Sequence, residues 1–146
     1  MNLIINDVAC NASVGQTLGN AAWKNHSHLG AVCGGRGVCQ TCYVTVLEGA
    51  ECLSPMTEVE QAFLSPRQKQ SGGRLACQTR IEKDGAIRLL SRPTEVQRLV
   101  LNDWAGFMAF NATMIQDSAS QIASGMQNLV GRILKGEVHP IDGSDA

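Results

Sequence analysis

The chain contains no run of about 18 apolar residues, so no segment is expected to cross a bilayer as a helix. Its net charge is only −1 over 146 residues, which leaves no electrostatic basis for binding nucleic acid. The opening stretch Met1-Asn2-Leu3-Ile4-Ile5-Asn6-Asp7 lacks a basic region followed by a long apolar core. No secretory signal is therefore visible, and an intracellular location is expected. A second C-x2-C is missing, as is any H-x3–5-H pair, and with them the usual four-ligand zinc patterns. Proline is absent from Thr94 to Lys135, so a long helix is permitted there.

What is present is a concentration of cysteine and glycine. Cys33-Gly34-Gly35-Arg36-Gly37-Val38-Cys39-Gln40-Thr41-Cys42 sets three thiols in the order C-x5-C-x2-C, and Cys77 supplies a fourth. A [2Fe–2S] cluster needs four thiolates, two on each iron. Glycines can adopt positive φ and wrap closely around inorganic sulfide, with their peptide N–H groups turned toward the sulfurs. A thioredoxin-like dithiol at Cys39 and Cys42 should open a helix, whereas Tyr43-Val44-Thr45-Val46-Leu47 reads as a strand. A disulfide scaffold would require an oxidising compartment. Cys33, Cys39, Cys42 and Cys77 are thus the expected cluster ligands, and an electron carrier is the expected function. Cys10 and Cys52 are left over and are expected as buried thiols. His26, His28 and Arg36 are expected in loop packing or at the surface. The methionines at 108, 114 and 126 are expected as apolar filler.

The charge divides unevenly along the chain. Residues 1–92 carry nine Lys/Arg against seven Asp/Glu, and residues 93–146 carry three against six. This break, at Arg92-Pro93, is the expected boundary between a domain over 1–92 and an appended segment over 93–146. In the first part, strands are expected at Leu3–Ile5, Val8–Cys10, Tyr43–Leu47, Arg74–Ile81 and Ala86–Leu90. A helix is expected from Thr17 to Leu29, ending at Gly30. Thr57-Glu58-Val59-Glu60 matches a capping box and should open a second helix. A small mixed sheet gripping one main helix, of α+β class, accounts for this order.

From Thr94 to about Lys135, apolar residues recur close to a 3.6-residue period, through Val96, Trp104, Met108, Ile115, Ile122, Met126 and Ile133. An amphipathic helix is expected, broken near Gln116–Ser118 or Gly125. Arg132 and Lys135 complement its negative end, Gly136 can stop it, and a loose acidic tail over 141–146 follows Pro140. Its apolar stripe must be covered by its own domain, by self-association through 94–135, or by a peripheral lipid interface.

The C-x5-C-x2-C spacing, the glycine loop and the R-L-A-C-Q-T element around Cys77 resemble the adrenodoxin-type [2Fe–2S] ferredoxins. The resemblance covers residues 1 to about 92. It implies a β-grasp fold with Cys33, Cys39, Cys42 and Cys77 as ligands and one electron per cluster. Such ferredoxins are usually acidic and dock their reductases by that charge, whereas this domain is slightly basic, with Arg67, Lys69 and Arg74. The whole chain resembles the chlorosome envelope iron–sulfur proteins of green photosynthetic bacteria, through C-G-G-x-G-V-C, Phe63-Leu64-Ser65-Pro66-Arg67-Gln68 and Val130-Gly131-Arg132-Ile133-Leu134. That resemblance implies non-enzymatic electron transfer at the chlorosome envelope, with a redox protein or quinone as partner and the C-terminal helix as tether. Two other readings remain: a structural or assembly protein stabilised by its cluster, and an electron-transfer component of an oxidoreductase complex.

Overall fold

Alternation of apolar residues starts the sheet. In β1 (Asn2–Ile5), Leu3 and Ile5 turn inward and are almost fully buried. Asn6 and Asp7, with φ of 55° and 65°, make the turn into β2 (Val8–Cys10). Such left-handed φ values suit short polar side chains. The computed structural model describes residues 2–137.

Thr17 caps α1 (Leu18–Lys24) by accepting the Asn20 N–H at 3.1 Å. Leu18, Ala21 and Ala22 form its buried face. This helix is shorter than expected from the apolar spacing up to Leu29. The Asn25 side chain donates to the Ala21 carbonyl at 2.8 Å, and His26 follows with φ of 53°, which diverts the chain. After the loop of residues 31–42 come β3 (Tyr43–Glu48), α2 (Glu58–Phe63), α3 (Pro66–Gln70), β4 (Gly73–Leu75) and β5 (Ala86–Ser91). The capping box of Thr57 and Glu60 is present at the start of α2. A second box, Ser65 with Gln68 and proline in the first turn, opens α3, a helix not expected from the sequence.

The five strands lie in the order β2-β1-β5-β3-β4. β1 runs parallel to β5, and the other pairs are antiparallel. Leu3, Ile5, Val44, Leu75, Ile87 and Leu89 from the strands share one apolar cluster with Leu18, Ala21 and Ala22 of α1. The fold is therefore α+β, a mixed sheet holding one main helix. One expected strand is mostly not a strand. Of Arg74–Ile81 only the first two residues pair as β4; Gln78 and Thr79 then bond back to the Leu75 carbonyl at 2.8 and 3.0 Å, which makes a turn of the Cys77 segment.

The C-terminal segment is two helices, α4 (Arg92–Asn102) and α5 (Trp104–Leu134). The break lies at Asp103, not at Gln116–Ser118 or Gly125. Asp103 is extended, with φ −149° and ψ 83°, and its carboxylate caps α5 by accepting the Gly106 N–H at 2.9 Å. Gly125 does not break the helix; a Cβ there would stand 3.1 Å from the Phe63 ring, so the missing side chain makes room for α2. Ser124 Oγ donates to the Ala62 carbonyl at 2.7 Å, and the Gln121 amide meets Gln68 Oε1 at 2.7 Å. One stripe of α5 is thus covered by its own domain. Another stays open: Trp104, Met108, Ile115, Ile122, Met126 and Ile133 are exposed. Met108 and Met126 are therefore not internal filler. Among the described residues no helix is long and apolar enough to cross a membrane. The expected acidic tail over 141–146 lies outside the described residues.

Candidate metal centre

Strand pairing brings the two distant thiols together. Tyr43 stands opposite Leu75 in the β3–β4 ladder, which puts Cys42 and the Cys77 turn side by side. The Ala76 N–H bonds the Cys42 carbonyl at 3.0 Å, and the two Sγ atoms are 3.2 Å apart. Gly19 of α1 lets the helix close on this turn: its N–H donates to the Ala76 carbonyl at 2.8 Å, and a Cβ would lie 3.3 Å from the Cys77 Cα. The neck of the loop is drawn together by the Val32 N–H, which donates to Thr41 Oγ1 at 3.2 Å. Within the loop Cys39 and Cys33 are hydrogen-bonded to one another, and Cys39 Sγ lies 2.9 Å from Thr41 Oγ1.

The loop is built to serve sulfur. Gly34, Gly35 and Gly37 have φ of 62°, 88° and 65°. A Cβ on Gly37 would stand 2.9 Å from both Val59 Cγ1 and Gln78 Nε2, so both the left-handed backbone and these side chains favour glycine there. Burial pushes the Cys33 thiol up, but the Val38 N–H, the Cys39 thiol and the N–H groups of Cys39 and Gly37 together outweigh it and hold the group below its ordinary value. Cys77 is held at about 6 by the Cys42 thiol that donates to it, against burial, with help from the Gln78 amide and the Gly37 N–H. Cys42, as the donor and also buried, is pushed far up. Gln78 Nε2 lies 3.4 Å from Cys77 Sγ and 3.1 Å from the Gly35 carbonyl.

All four predicted thiols gather here, in the pairs Cys33/Cys39 and Cys42/Cys77. Among the described residues no three His, Cys, Asp or Glu side chains converge on a single ion position. Each iron of a [2Fe–2S] cluster takes two protein thiolates, and the two pairs of thiols match that number. Thiolate donors, N–H groups aimed at sulfur and a glycine cradle all fit a [2Fe–2S] group. Cys10 and Cys52 are buried elsewhere, the first 3.4 Å from Ser27 Oγ. His26 and His28 are exposed at the exit of α1.

Three contributors were not found from the sequence. Glu60 is fully buried, and its carboxylate accepts from Arg74 Nε at 2.8 Å, the Leu75 N–H at 3.0 Å and Thr79 Oγ1 at 2.9 Å. It thereby holds both flanks of the Cys77 turn. Arg74, counted among the basic residues of this domain with Arg67 and Lys69, is consequently internal and not a docking charge. Gln78, adjacent to Cys77, is the second. The third is Arg132 on α5, whose guanidinium donates to the carbonyls of Arg36 and Gly37 at 2.7 and 3.3 Å.

Residues 3–82 match the family of the 2Fe-2S iron-sulfur cluster binding domain. The chain belongs to that family. Its cofactor is a [2Fe–2S] cluster, and its fold is the β-grasp expected from the sequence. The chain is 56% identical to Chlorosome protein I of Chlorobaculum tepidum over 138 residues, 94% of this chain and 57% of that protein. It is 45% identical to Chlorosome protein J of the same organism over 143 residues, 97% of this chain and 64% of that one. The chain therefore spans less than two thirds of the length of these two relatives. A ferredoxin of Rhodopseudomonas palustris HaA2 superposes with a TM-score of 0.50 at 27% identity, covering 61% of this chain and 92% of that one. A component of the Na(+)-translocating NADH-quinone reductase of Chlamydia felis is 33% identical over 88 residues, 58% of this chain and 19% of that protein.

Proposed function

We propose that this chain is a non-enzymatic electron carrier, moving one electron at a time, with Cys33 and Cys39 on one iron and Cys42 and Cys77 on the other. The observation that carries the reading is the gathering of these thiols in two pairs under the N–H groups of one glycine loop. When bound, the cluster supplies a one-electron couple. The protein's part is to fix the four thiolates, to hold the Cys77 turn through Glu60, and to present the cluster loop near the surface. Val32, at the neck of the loop, is 76% exposed, so an acceptor can approach this end of the molecule.

The relatives support a setting for it. Similarity to two chlorosome proteins over nearly the whole chain supports a place at a chlorosome envelope, with the exposed stripe of α5 as the lipid-facing tether. The partner is a redox protein or a quinone. Likeness to a component of a quinone reductase supports the same partner class, and also the reading of one chain in a larger oxidoreductase complex. The protein should carry two irons and two sulfides and show a reversible reduced S = 1/2 signal. A cluster that resists reduction by dithionite would make it a structural element and refute the carrier reading.

A further inference from the structure

The grip of α5 on the cluster loop has a specific geometry. The carbonyl of Arg36 belongs to the same peptide group as the N–H of Gly37, and the carbonyl of Gly37 to the same group as the N–H of Val38. Those two N–H groups serve the sulfurs: Gly37 bonds Cys33 and Cys77, and Val38 bonds Cys33. Arg132 Nη2 and Nη1 sit on the oxygen ends of the two peptide groups at 2.7 and 3.3 Å. The Arg132 side chain is only 15% exposed, and Glu137 Oε2 lies 3.9 Å from its Nε.

We propose that Arg132 is a positioning residue for the cluster: by holding both carbonyls it aims and strengthens the peptide N–H groups on the ligand sulfurs, so the C-terminal helix tunes the reduction potential. This rests on the assignment of Cys33 and Cys77 as ligands. A guanidinium on the oxygen of a peptide polarises it and makes its N–H a stronger donor. Hydrogen bonds to the sulfurs are among the determinants of cluster potential. A nearby fixed positive charge also favours the reduced, more negative cluster. The planar fork of arginine can meet two carbonyls at once, which the single ammonium of lysine does not reproduce.

The test uses the full-length holoprotein and two readouts, potentiometric titration of the cluster and hydrogen exchange of the peptide spanning residues 33–42. Arg132→Gln should lower the ratio of reduced to oxidised cluster at a fixed poise about tenfold, which is ~59 mV for a one-electron couple. It should also speed exchange in the loop. Arg132→Lys should give a smaller drop in the ratio, because charge is kept, with similarly faster exchange. Lys135→Gln removes the same charge one residue beyond α5, and Ser124→Ala loosens the contact of α5 with α2; neither should move the potential comparably. A shift in Arg132→Gln no larger than in either control, or unchanged loop exchange, overturns the proposal. A chain lacking a two-iron cluster would refute the carrier reading instead, while the exchange comparison would still judge the hold of Arg132 on the loop.

Discussion

Replacing Glu60 by Gln should damage the protein out of proportion to the chemical change. The side chain is completely buried, and its two oxygens accept from Arg74 Nε and Nη2, the Leu75 and Thr57 N–H groups, and Thr79 Oγ1, all between 2.8 and 3.1 Å. A glutamine amide keeps the shape but turns one acceptor into a donor that faces other donors, and it leaves Arg74 buried without its counter-charge. Breaking a buried pair from one side costs about 3–5 kcal/mol. Against a typical net stability of about 5–15 kcal/mol, that is a large fraction. Thermal unfolding of Glu60→Gln, followed by far-UV circular dichroism, should shift down by roughly 10–20 °C. Glu60→Gln combined with Arg74→Met should recover part of the loss, since removing both charges costs less than stranding one. The pH dependence has a fixed sign. Burial acts to raise the Glu60 carboxyl, but the Arg74 guanidinium and the Thr57 and Leu75 N–H groups prevail and hold it below its ordinary value of 4.5. Its contribution is therefore complete above 4.5 and lost as pH falls through the lower folded value. Wild type should lose stability in that acidic window by a component that Glu60→Gln lacks. A single variant costing under about 1 kcal/mol, or a double variant no better than the single, would refute the argument.

Serine at Cys33, Cys39, Cys42 or Cys77 should lose or damage the cluster, because a hydroxyl is a hard, poor ligand for iron. Serine at Cys10 or Cys52 should leave two irons and the visible spectrum unchanged, and the reverse pattern would break the ligand assignment. Gly37→Ala should cost about 1–2 kcal/mol from its left-handed backbone alone. It should also alter the visible circular dichroism, by pushing Gln78 Nε2 away from Cys77 Sγ, now 3.4 Å apart. Changing Trp104, Ile115 and Ile122 together to Ser should leave unfolding nearly unchanged, since these side chains are already exposed. It should abolish flotation with uncharged glycolipid vesicles, because each large apolar group favours burial by about 1.5–3 kcal/mol. Loss of a dimer in sedimentation, with no flotation in either protein, would replace the lipid tether by self-association.

The loop that gathers the candidate ligands is legible in the sequence because its information is local. Cys33 to Cys42 fall within ten residues, and both the glycines and the strand after Cys42 answer to rules of short range. Other features escape because their reasons lie elsewhere in space. Glu60 reads as the closing glutamate of a capping box, which it is, but its burial depends on Arg74 arriving from the far side of α3. Helix α3 is too short for any periodicity to reveal, although Ser65-Pro66 with Gln68 carries the signal of a capped start. Gly125 reads as a breaker in one dimension and is a seat for the Phe63 ring in three. The true break at Asp103 has a local sign, an N-cap residue directly before Trp104, that the uninterrupted apolar period conceals.

The 3.6-residue period of α5 also contains more than one stripe, and this explains how the segment can serve both its own domain and an outside surface. Gln121, Gly125, Asn128 and Arg132 recur at intervals of four, three and four, so they share one face; it meets α2, α3 and the cluster loop. Trp104, Met108, Ile115, Ile122, Met126 and Ile133 recur at four, seven, seven, four and seven, and at about 100° per residue they share a second face roughly a third of a turn from the first. One face carries the polar atoms that need fixed partners, and the other carries large apolar groups that need only to leave water. A surface that covers the second face does not compete for the first. Anchoring through Ile115 and Ile122 can therefore leave Arg132 on the Arg36 and Gly37 carbonyls, and the cluster loop keeps its geometry while the helix is held.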